Sequence, residues 1–509
     1  MVRAAAVVLL AAAAVVATPA CGGGTDEVVP ADAAVDAAVD APDLPPDPFE
    51  GMFDEGSEFP RARCRAGAMA GFARTNVWVP LGLRTDAPGG TLRTFVDGFL
   101  GEEQVPHTLT ADDLIVRRSS FNAQSGRWSM RAIDVCDVLA DGTLRGSIVQ
   151  CYGETCWDPY ELEVAPTHRI AGESEGQHLT LLGELALDGR PLNVRAAGDH
   201  AYLAMGGAGL RVVSVANPAA PVVVGSYVPA VDNYFNDVKL VEAAGRRYAV
   251  LAGSPVEVID VTTPASPSLV ATMATDAHTV FLDGTMAYSV DGMRAELDIF
   301  DIADPRAPIQ RAAFEVPGLP SFSGFHDLYA AGGFVYLSTF GYGLVVVDAR
   351  APSAPVVAGM TAEDPSRRYW HSPWVTQVAG KPVIVHGDEF AGPESGVRLL
   401  DGDPASPTYL GTLGDWHLRD DISTHNVMAH GATVYLSHYQ DGIRVLDITN
   451  PATPTQLGYF NTWSEDIATA AAFSGAIGLD LDVARRRIYV ADLLRGFLVL
   501  QGTETVFPP

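Results

Sequence analysis

From about residue 180 onward the chain alternates short apolar runs with turns marked by Gly and Pro. Six runs share one layout: a β-branched or Leu-rich strand, usually ending in Asp, then two prolines three residues apart. They are Gly209–Ser214, Pro255–Asp260, Glu296–Asp301, Gly343–Asp348, Gly396–Asp401 and Gly442–Asp447, followed by Pro218/Pro221, Pro264/Pro267, Pro305/Pro308, Pro352/Pro355, Pro404/Pro407 and Pro451/Pro454. A seventh run, Gly496–Gln501, has no proline pair after it. The starts lie 46, 41, 47, 53, 46 and 54 residues apart. A period in the forties built from short strands and Gly/Pro turns is the signature of a β-propeller blade.

Each unit reads as four strands. In the sixth, Asn426–Ala429 is innermost, Thr433–Ser437 second, Ile443–Leu446 third and Thr455–Tyr459 outermost. Proline has no N–H to give to a central ladder, so the pair ends the third strand. The Asp before it can accept a hydrogen bond from the turn backbone. The last third strand, at 496–501, still needs an outer neighbour, or it leaves an open edge. His178–Leu187 matches the outer strands Val222–Tyr227 and Tyr409–Leu413 and is expected to supply it, closing a seven-bladed ring from the N-terminal side.

These motifs resemble the LVIVD repeat family, named for strands such as Leu344-Val-Val-Val-Asp348. The resemblance spans about residues 180–502, with Ser214 replacing the Asp of the first unit. It implies a propeller on an exported bacterial or archaeal protein, and it transfers no reaction.

The remainder of the chain adds location. Met1-Val2-Arg3, an apolar stretch over residues 4–17 and the small residues up to Ala20 have the layout of a secretory leader, residues 1–20. Ending at Cys21, it resembles a bacterial lipobox, although Thr18 and Pro19 are atypical. Lipidation at Cys21 would anchor the protein to a membrane, and Gly22 in place of Asp directs the expectation to the outer membrane or cell surface; simple secretion is the alternative. Residues 21–60, acidic and rich in Pro and Ala, read as a disordered linker. Residues 61–165 read as a small β domain, with strands expected at Thr75–Val79, Thr91–Val96 and Gly146–Tyr152. Its four cysteines, Cys64, Cys136, Cys151 and Cys156, suit two disulfides in an exported chain, with three pairings open. The fold class is therefore all-β: a disulfide-containing β domain, then a seven-bladed propeller over residues 178–503.

Charge excludes one class of partner. The 509 residues carry 33 basic and 62 acidic side chains, net −29, too acidic to neutralise nucleic-acid phosphates. A surface protein, a glycan or a small ligand is the expected partner, and the chain is expected to be a monomer.

Propeller ligands sit at a mouth of the central channel. Just ahead of the inner strands stand Asn236, Asp237, His278, His326, Asp327, His371, His425 and Asn426, so four of the twelve histidines recur at equivalent places in four successive units. His278, His326, His371 and His425, with Glu389 in a nearby connection, are candidate metal ligands, since imidazole and carboxylate suit a divalent ion. The bland alternative is that these His and Asn side chains cap strand starts. Trp416-His417, His386 and His438-Tyr439 lie in nearby connections, and His430 is expected to be solvated. Gly172-Glu-Ser174-Glu-Gly176 matches a nucleophile motif by letters, without the strand-to-helix elbow that makes one. Asp480-Leu-Asp482 reads as a strand end. No catalytic residue and no bound cofactor is assigned, with a divalent metal as the one possibility. A binding or scaffold module is the favoured function. A metal-dependent hydrolase or lactonase-like enzyme and a structural envelope protein are the alternatives.

Overall fold

The computed structural model describes residues 45–508 except 63, 71–80, 88–89, 93–106, 123–126, 141–143, 154, 167–168, 232, 320–323, 340–341, 362–369, 390–394, 421 and 465–473. The leader, Cys21, residues 22–44 of the acidic linker, the strand expected at 75–79 and residues 93–96 of that expected at 91–96 lie outside the described residues; residues 45–60, expected to be disordered, instead pack on the N-terminal sheet through the buried Phe49 and Phe59. Among those described, no helix is long and apolar enough to cross a membrane.

The N-terminal part holds one sheet of eight strands between Leu81 and Pro166. Its long members are Leu114–Asn122, Arg127–Val138 and Leu144–Tyr152, each antiparallel to the next. Disulfides join Cys64 to Cys136 and Cys151 to Cys156. The second pair is set by register, because the short strand Thr155–Cys156 folds back with Cys156 opposite Cys151.

After residue 170 the described residues form seven antiparallel four-stranded sheets, one of which gains a short fifth strand. Six take four consecutive strands each, with inner strands Asn193–Ala197, Asp237–Ala243, Thr279–Asp283, Phe325–Ala331, Trp370–Val378 and Val427–His430. The seventh is made of Ala476–Asp482, Arg487–Asp492 and Gly496–Gly502, with Leu179–Leu185 as its outer strand. That last pairing runs from Leu179 opposite Gly502 to Leu185 opposite Phe497. The strand expected at 178–187 thus supplies the outer edge of the last sheet.

The sheets follow one another in a ring, a propeller-like arrangement. Apolar side chains fill the space between each sheet and the next: Val212 with Leu251, Val258 with Val280, Ile299 with Val345, Val346 with Ile384, Leu399 with Leu436, and Val445 with Val490. The seventh such core joins Leu203 and Val213 of the first sheet to Phe497 and Val499 of the last. Each fully buried Leu, Ile or Val in these layers stabilises by about 1.5–3 kcal/mol. The first inner strand also touches the last, Asn193–Ala197 against Ala476–Asp482.

The proline pairs act as turn formers. Asp260, Asp301, Asp348, Asp401 and Asp447 each accept a hydrogen bond from the backbone two residues on, at 2.7–3.1 Å. The same turns dock on the preceding sheet. A Cβ on Gly183, Gly225 or Gly414, all in outer strands, would lie 2.5, 2.0 or 2.3 Å from the carbonyl oxygen of Pro218, Pro264 or Pro451 in the following sheet. Gly183 meets the first sheet's turn as Gly225 meets the second's, so the closing strand is built like the others.

Three expectations for residues after 170 are corrected. Residues 409–411 form a turn, with Leu410 at φ 62°, and the outer strand there is Thr412–Trp416 rather than 409–413. His326 and His371 lie within their inner strands rather than ahead of them. His386 and Asp388 belong to the second strand Lys381–Asp388, and Glu389 follows it directly. The structure also adds a tie absent from the sequence reading. Gly176-Gln177 pairs with Tyr459-Phe460 as the fifth strand of the sixth sheet. Just before it, Glu173 takes both terminal nitrogens of the fully buried Arg444, at 2.7 and 3.0 Å.

Gly225→Val should destabilise the ring by about 1–3 kcal/mol, the cost of overpacking against backbone. Gly207→Ala, whose added carbon meets open space, should leave stability unchanged. Denaturant unfolding of the two variants beside the wild type checks both expectations.

Candidate functional site

Antiparallel order places the start of each inner strand and the end of each second strand at one end of the ring, with the connection before the first and the connection after the second. At that end the inner strands bulge. The register shifts between Phe325 and Asp327, between His371 and Pro373, and between Ala476 and Gly478. A bulge inserts one residue and re-aims its side chain.

His278, His326, His371 and His425 form an arc of neighbouring rings, with successive centroids 4.2, 4.8 and 4.5 Å apart. Tyr439 extends the arc 5.2 Å beyond His425. His371 Nδ1 lies 2.8 Å from the carbonyl oxygen of His425, and His425 Nδ1 lies 2.7 Å from that of Ile477. A carbonyl oxygen only accepts, so both Nδ1 atoms carry hydrogen and donate. In the neutral ring, Nε2 then holds the lone pair.

Those Nε2 atoms face Glu389. His326 and His371 Nε2 stand 3.6 and 3.8 Å from Glu389 Oε2, and His425 Nε2 stands 3.8 Å from Oε1. The Tyr439 hydroxyl donates to Oε1 at 2.7 Å, which orients the carboxylate. All five side chains are buried, Glu389 at 3% exposure and Tyr439 at 0%. Burial, then the neighbouring His371, pushes the His425 imidazole down to about 3. Burial followed by the other three rings holds His326 well below the usual histidine range, and burial also lowers His278.

The opposite wall is built from inner strands of the first two sheets. Asp237 accepts from Asn193 Nδ2 at 2.7 Å and from the backbone of Val238 and Val280, and it pairs with Lys239. Lys239 is pushed down to about 8 by burial and by the charge of Arg195, against the pull of Asp237. Arg195 reaches the carbonyl oxygens of Val194 and Leu479, and Asp480, raised by burial, accepts from the Ala196 N–H. Farther along the inner strands, Phe281, Tyr329 and Trp374 meet tilted or edge-on with centroids 4.8–6.1 Å apart, and Lys239 lies over Phe281.

Between these walls lies a cavity of about 50 Å³. Asn236, Asp237, His278, Asp327, His371, His425 and Asn426 all line it, seven of the eight channel-mouth candidates. His326, the eighth, completes the imidazole arc beside it. The sequence reading missed Asn193, Arg195, Lys239 and Thr279, which also line the cavity, and Tyr439, which holds Glu389. The signal was present: Arg195 and Lys239 follow Asn193 and Asp237 by two residues, the spacing that returns a strand side chain to the same face.

Other singled-out residues lie elsewhere. His417 pairs with Asp420 at 3.4 Å while Trp416 packs between the fifth and sixth sheets. His386 bonds Ser338 Oγ at 2.8 Å, His438 lies 3.6 Å from Asp441, and His430 is exposed. Ser174 Oγ donates to the Gly176 carbonyl at 2.9 Å, so it serves the strap before the closing strand.

Three segments match the family description LVIVD repeat: residues 188–228, 326–362 and 423–462. The chain therefore carries LVIVD repeats, at the positions of the first, fourth and sixth sheets. No curated protein matches it. Similar solved structures include a mitotic checkpoint complex, at 11% identity, 66% of this chain, 98% of that one and TM-score 0.45. They also include the C-terminal WD40 domain of Sif2, at 10% identity, 64% and 98% coverage and TM-score 0.40. BamB from Moraxella catarrhalis follows at 11% identity, 72% and 95% coverage and TM-score 0.39. Likeness this distant carries no argument about what the chain does.

Lys239 makes stability depend on alkaline pH. Its ordinary value is 10.5 and its folded value about 8, so between these limits the unfolded chain binds more protons and stability rises with pH. Relative to Lys239→Met, the wild type should gain stability from pH 8 to about 10.5 and lose that gain as pH falls back. Chemical denaturation of both proteins across this window checks the sign.

Proposed function

We propose that the chain is an envelope-anchored binding module. The seven sheets are the seven blades of a closed propeller over residues 178–503, carried behind the disulfide-stapled unit of residues 61–165. Cys21 is lipidated after removal of residues 1–20, and the acidic linker holds the folded part off an outer membrane. The propeller, as a monomer, presents the channel mouth to a small polar ligand or to a polar group of a glycan or surface protein.

One observation carries this reading. Side chains at the same offset in successive repeats converge on one cavity whose walls combine imidazole, carboxylate, amide and ammonium groups. Packing alone calls for apolar groups there, since buried polar atoms cost free energy unless partnered. A second reading, metal-dependent hydrolysis, is favoured by the meeting of His326 and His371 with Glu389.

Two measurements bear on the proposal. In detergent phase partition of cells producing the full chain, the wild type should enter the detergent phase and Cys21→Ala the aqueous phase. Aqueous behaviour of both overturns the anchor. For the mouth, thermal melting in the presence of chelator should show stabilisation by at least one member of a panel of carboxylates, phosphate and simple sugars. A ligand at about 100 times its Kd adds about 2.7 kcal/mol. Asn426→Trp, which fills the mouth, should abolish that shift. No shift with any member, or an equal shift in the variant, overturns the mouth as a binding site and favours a structural envelope role.

A further inference from the structure

We infer that His326, His371 and Glu389, with His425 as the adjoining donor, form a site for one divalent transition-metal ion of the zinc and cobalt class. The inference deepens the reading of the channel mouth as a ligand site and rests on it.

The donor atoms already converge. One ligand atom from each of His326, His371 and Glu389 lies within 4.8 Å of the other two, and all three residues are buried. The closest approaches are 3.6 and 3.8 Å. Donors bound to a common ion at roughly 2.0–2.2 Å stand about 3.0–3.5 Å apart, so the carboxylate needs shifts of a few tenths of an ångström toward each ring, while the two imidazoles, within 4.8 Å of each other, close further. His425 Nε2 approaches the second carboxylate oxygen at 3.8 Å.

The orientation of the rings is what a metal requires. With Nδ1 of His371 and His425 donating to backbone carbonyls, each neutral ring turns an Nε2 lone pair toward a carboxylate. A lone pair facing a carboxylate repels it; a cation between them turns the repulsion into attraction. A carbonyl behind Nδ1 is also the usual outer partner of a metal-bound histidine, and a hydroxyl such as that of Tyr439 is a usual partner of a bound carboxylate.

Two alternatives weigh less. A proton shared between imidazole and Glu389 would draw the pair to about 2.7–2.9 Å, whereas the closest approaches are 3.6 and 3.8 Å. Lys239 does not serve as the counter-charge, because Asp237 already holds it. The donor set also selects the ion: imidazole-rich sites suit zinc, cobalt, nickel, copper or iron, whereas magnesium and calcium take oxygen. The other convergence of metal-ligating residue types among the described residues, Cys64, Cys136 and Asp134, is discounted because its two sulfurs are bonded to each other.

The test uses untagged full chain, stripped with chelator and titrated with Co2+ alone, then separately with Zn2+. Wild type should bind one equivalent, giving visible cobalt absorption and, for zinc, one ion per chain after desalting. His371→Ala and Glu389→Gln should each weaken binding by at least about tenfold, and Tyr439→Phe by about 10–100-fold at most, the range for outer partners. His430→Ala, at the exposed end of the sixth inner strand, should bind as the wild type does. Circular dichroism of the stripped proteins shows whether each variant folds, and His326→Gln replaces any that does not. Substoichiometric cobalt binding in the wild type, or unchanged affinity in His371→Ala and Glu389→Gln, overturns the inference. A polar-ligand melting shift that survives in chelator while metal binding fails removes the metal alone; loss of both removes the binding reading as well.

Discussion

The pairing of Leu179–Leu185 with Gly496–Gly502 is the constraint on which the rest depends. Without it the third strand of the last sheet would present an unpaired edge, and Leu498 and Leu500 would lose the cover of Leu179. With it, the first and last sheets share an apolar core, and every inner strand starts near one axis. The strap ahead of the closing strand strengthens the joint. Gly176-Gln177 adds to the sixth sheet, His178 turns the chain at φ 61°, and Leu179 enters the seventh. Arg444 and Glu173 pin this crossing with a paired hydrogen bond, a geometry that costs several kcal/mol to break when one partner is buried. One segment thus ties two sheets.

Repetition explains how a site arises there. Once the ring closes, any offset in the repeat becomes a circle of positions around the channel. The circle here is not uniform. Imidazoles occupy it from the third to the sixth sheet, while the first and second supply Asn193, Asn236 and Asp237, with Arg195 and Lys239 two residues deeper. The mouth therefore has a face of imidazoles and the Glu389 carboxylate opposite a face that mixes amide, carboxylate, ammonium and guanidinium groups. A ligand bound between them would be held by unlike groups on its two sides, which gives orientation as well as affinity.

Much of the architecture was legible because it rests on local rules. Proline cannot enter a central ladder, Asp accepts from the turn that follows, and strand side chains alternate, so the units could be counted from residue types. The mouth residues were legible for the same reason, as a fixed offset in each unit. What stayed hidden depends on contacts between strands and between units. The bulges at His326 and just after His371 are shifts of register against the second strand of the same sheet, and no residue type announces them. Tyr439 and Glu389 lie fifty residues apart and meet only across the fifth and sixth sheets. The spacing of Lys239 from Asp237 gives its face, but not its burial, which comes from the ring rather than from its own strand. The disulfide partners stayed open until strand register set Cys156 opposite Cys151.

The two readings of the histidines, strand caps or ligands, are not exclusive, because an imidazole has two nitrogens. Nδ1 of His371 and of His425 binds the backbone of the following sheet, which is the structural role. That role alone does not call for histidine. In the third sheet a hydroxyl performs it, Thr279 Oγ1 donating to the His326 carbonyl at 3.2 Å. In the seventh, Ile477 occupies the bulge with a side chain that donates nothing. A residue that must tie the sheets can therefore be small and neutral. Placing a ring there adds a second nitrogen on the axial side, and here that nitrogen is aimed at a carboxylate held in place by Tyr439. Burying these groups costs free energy that the tie between sheets does not require, so the physical case for function rests on Nε2 and on Glu389, the groups that meet on the axial side.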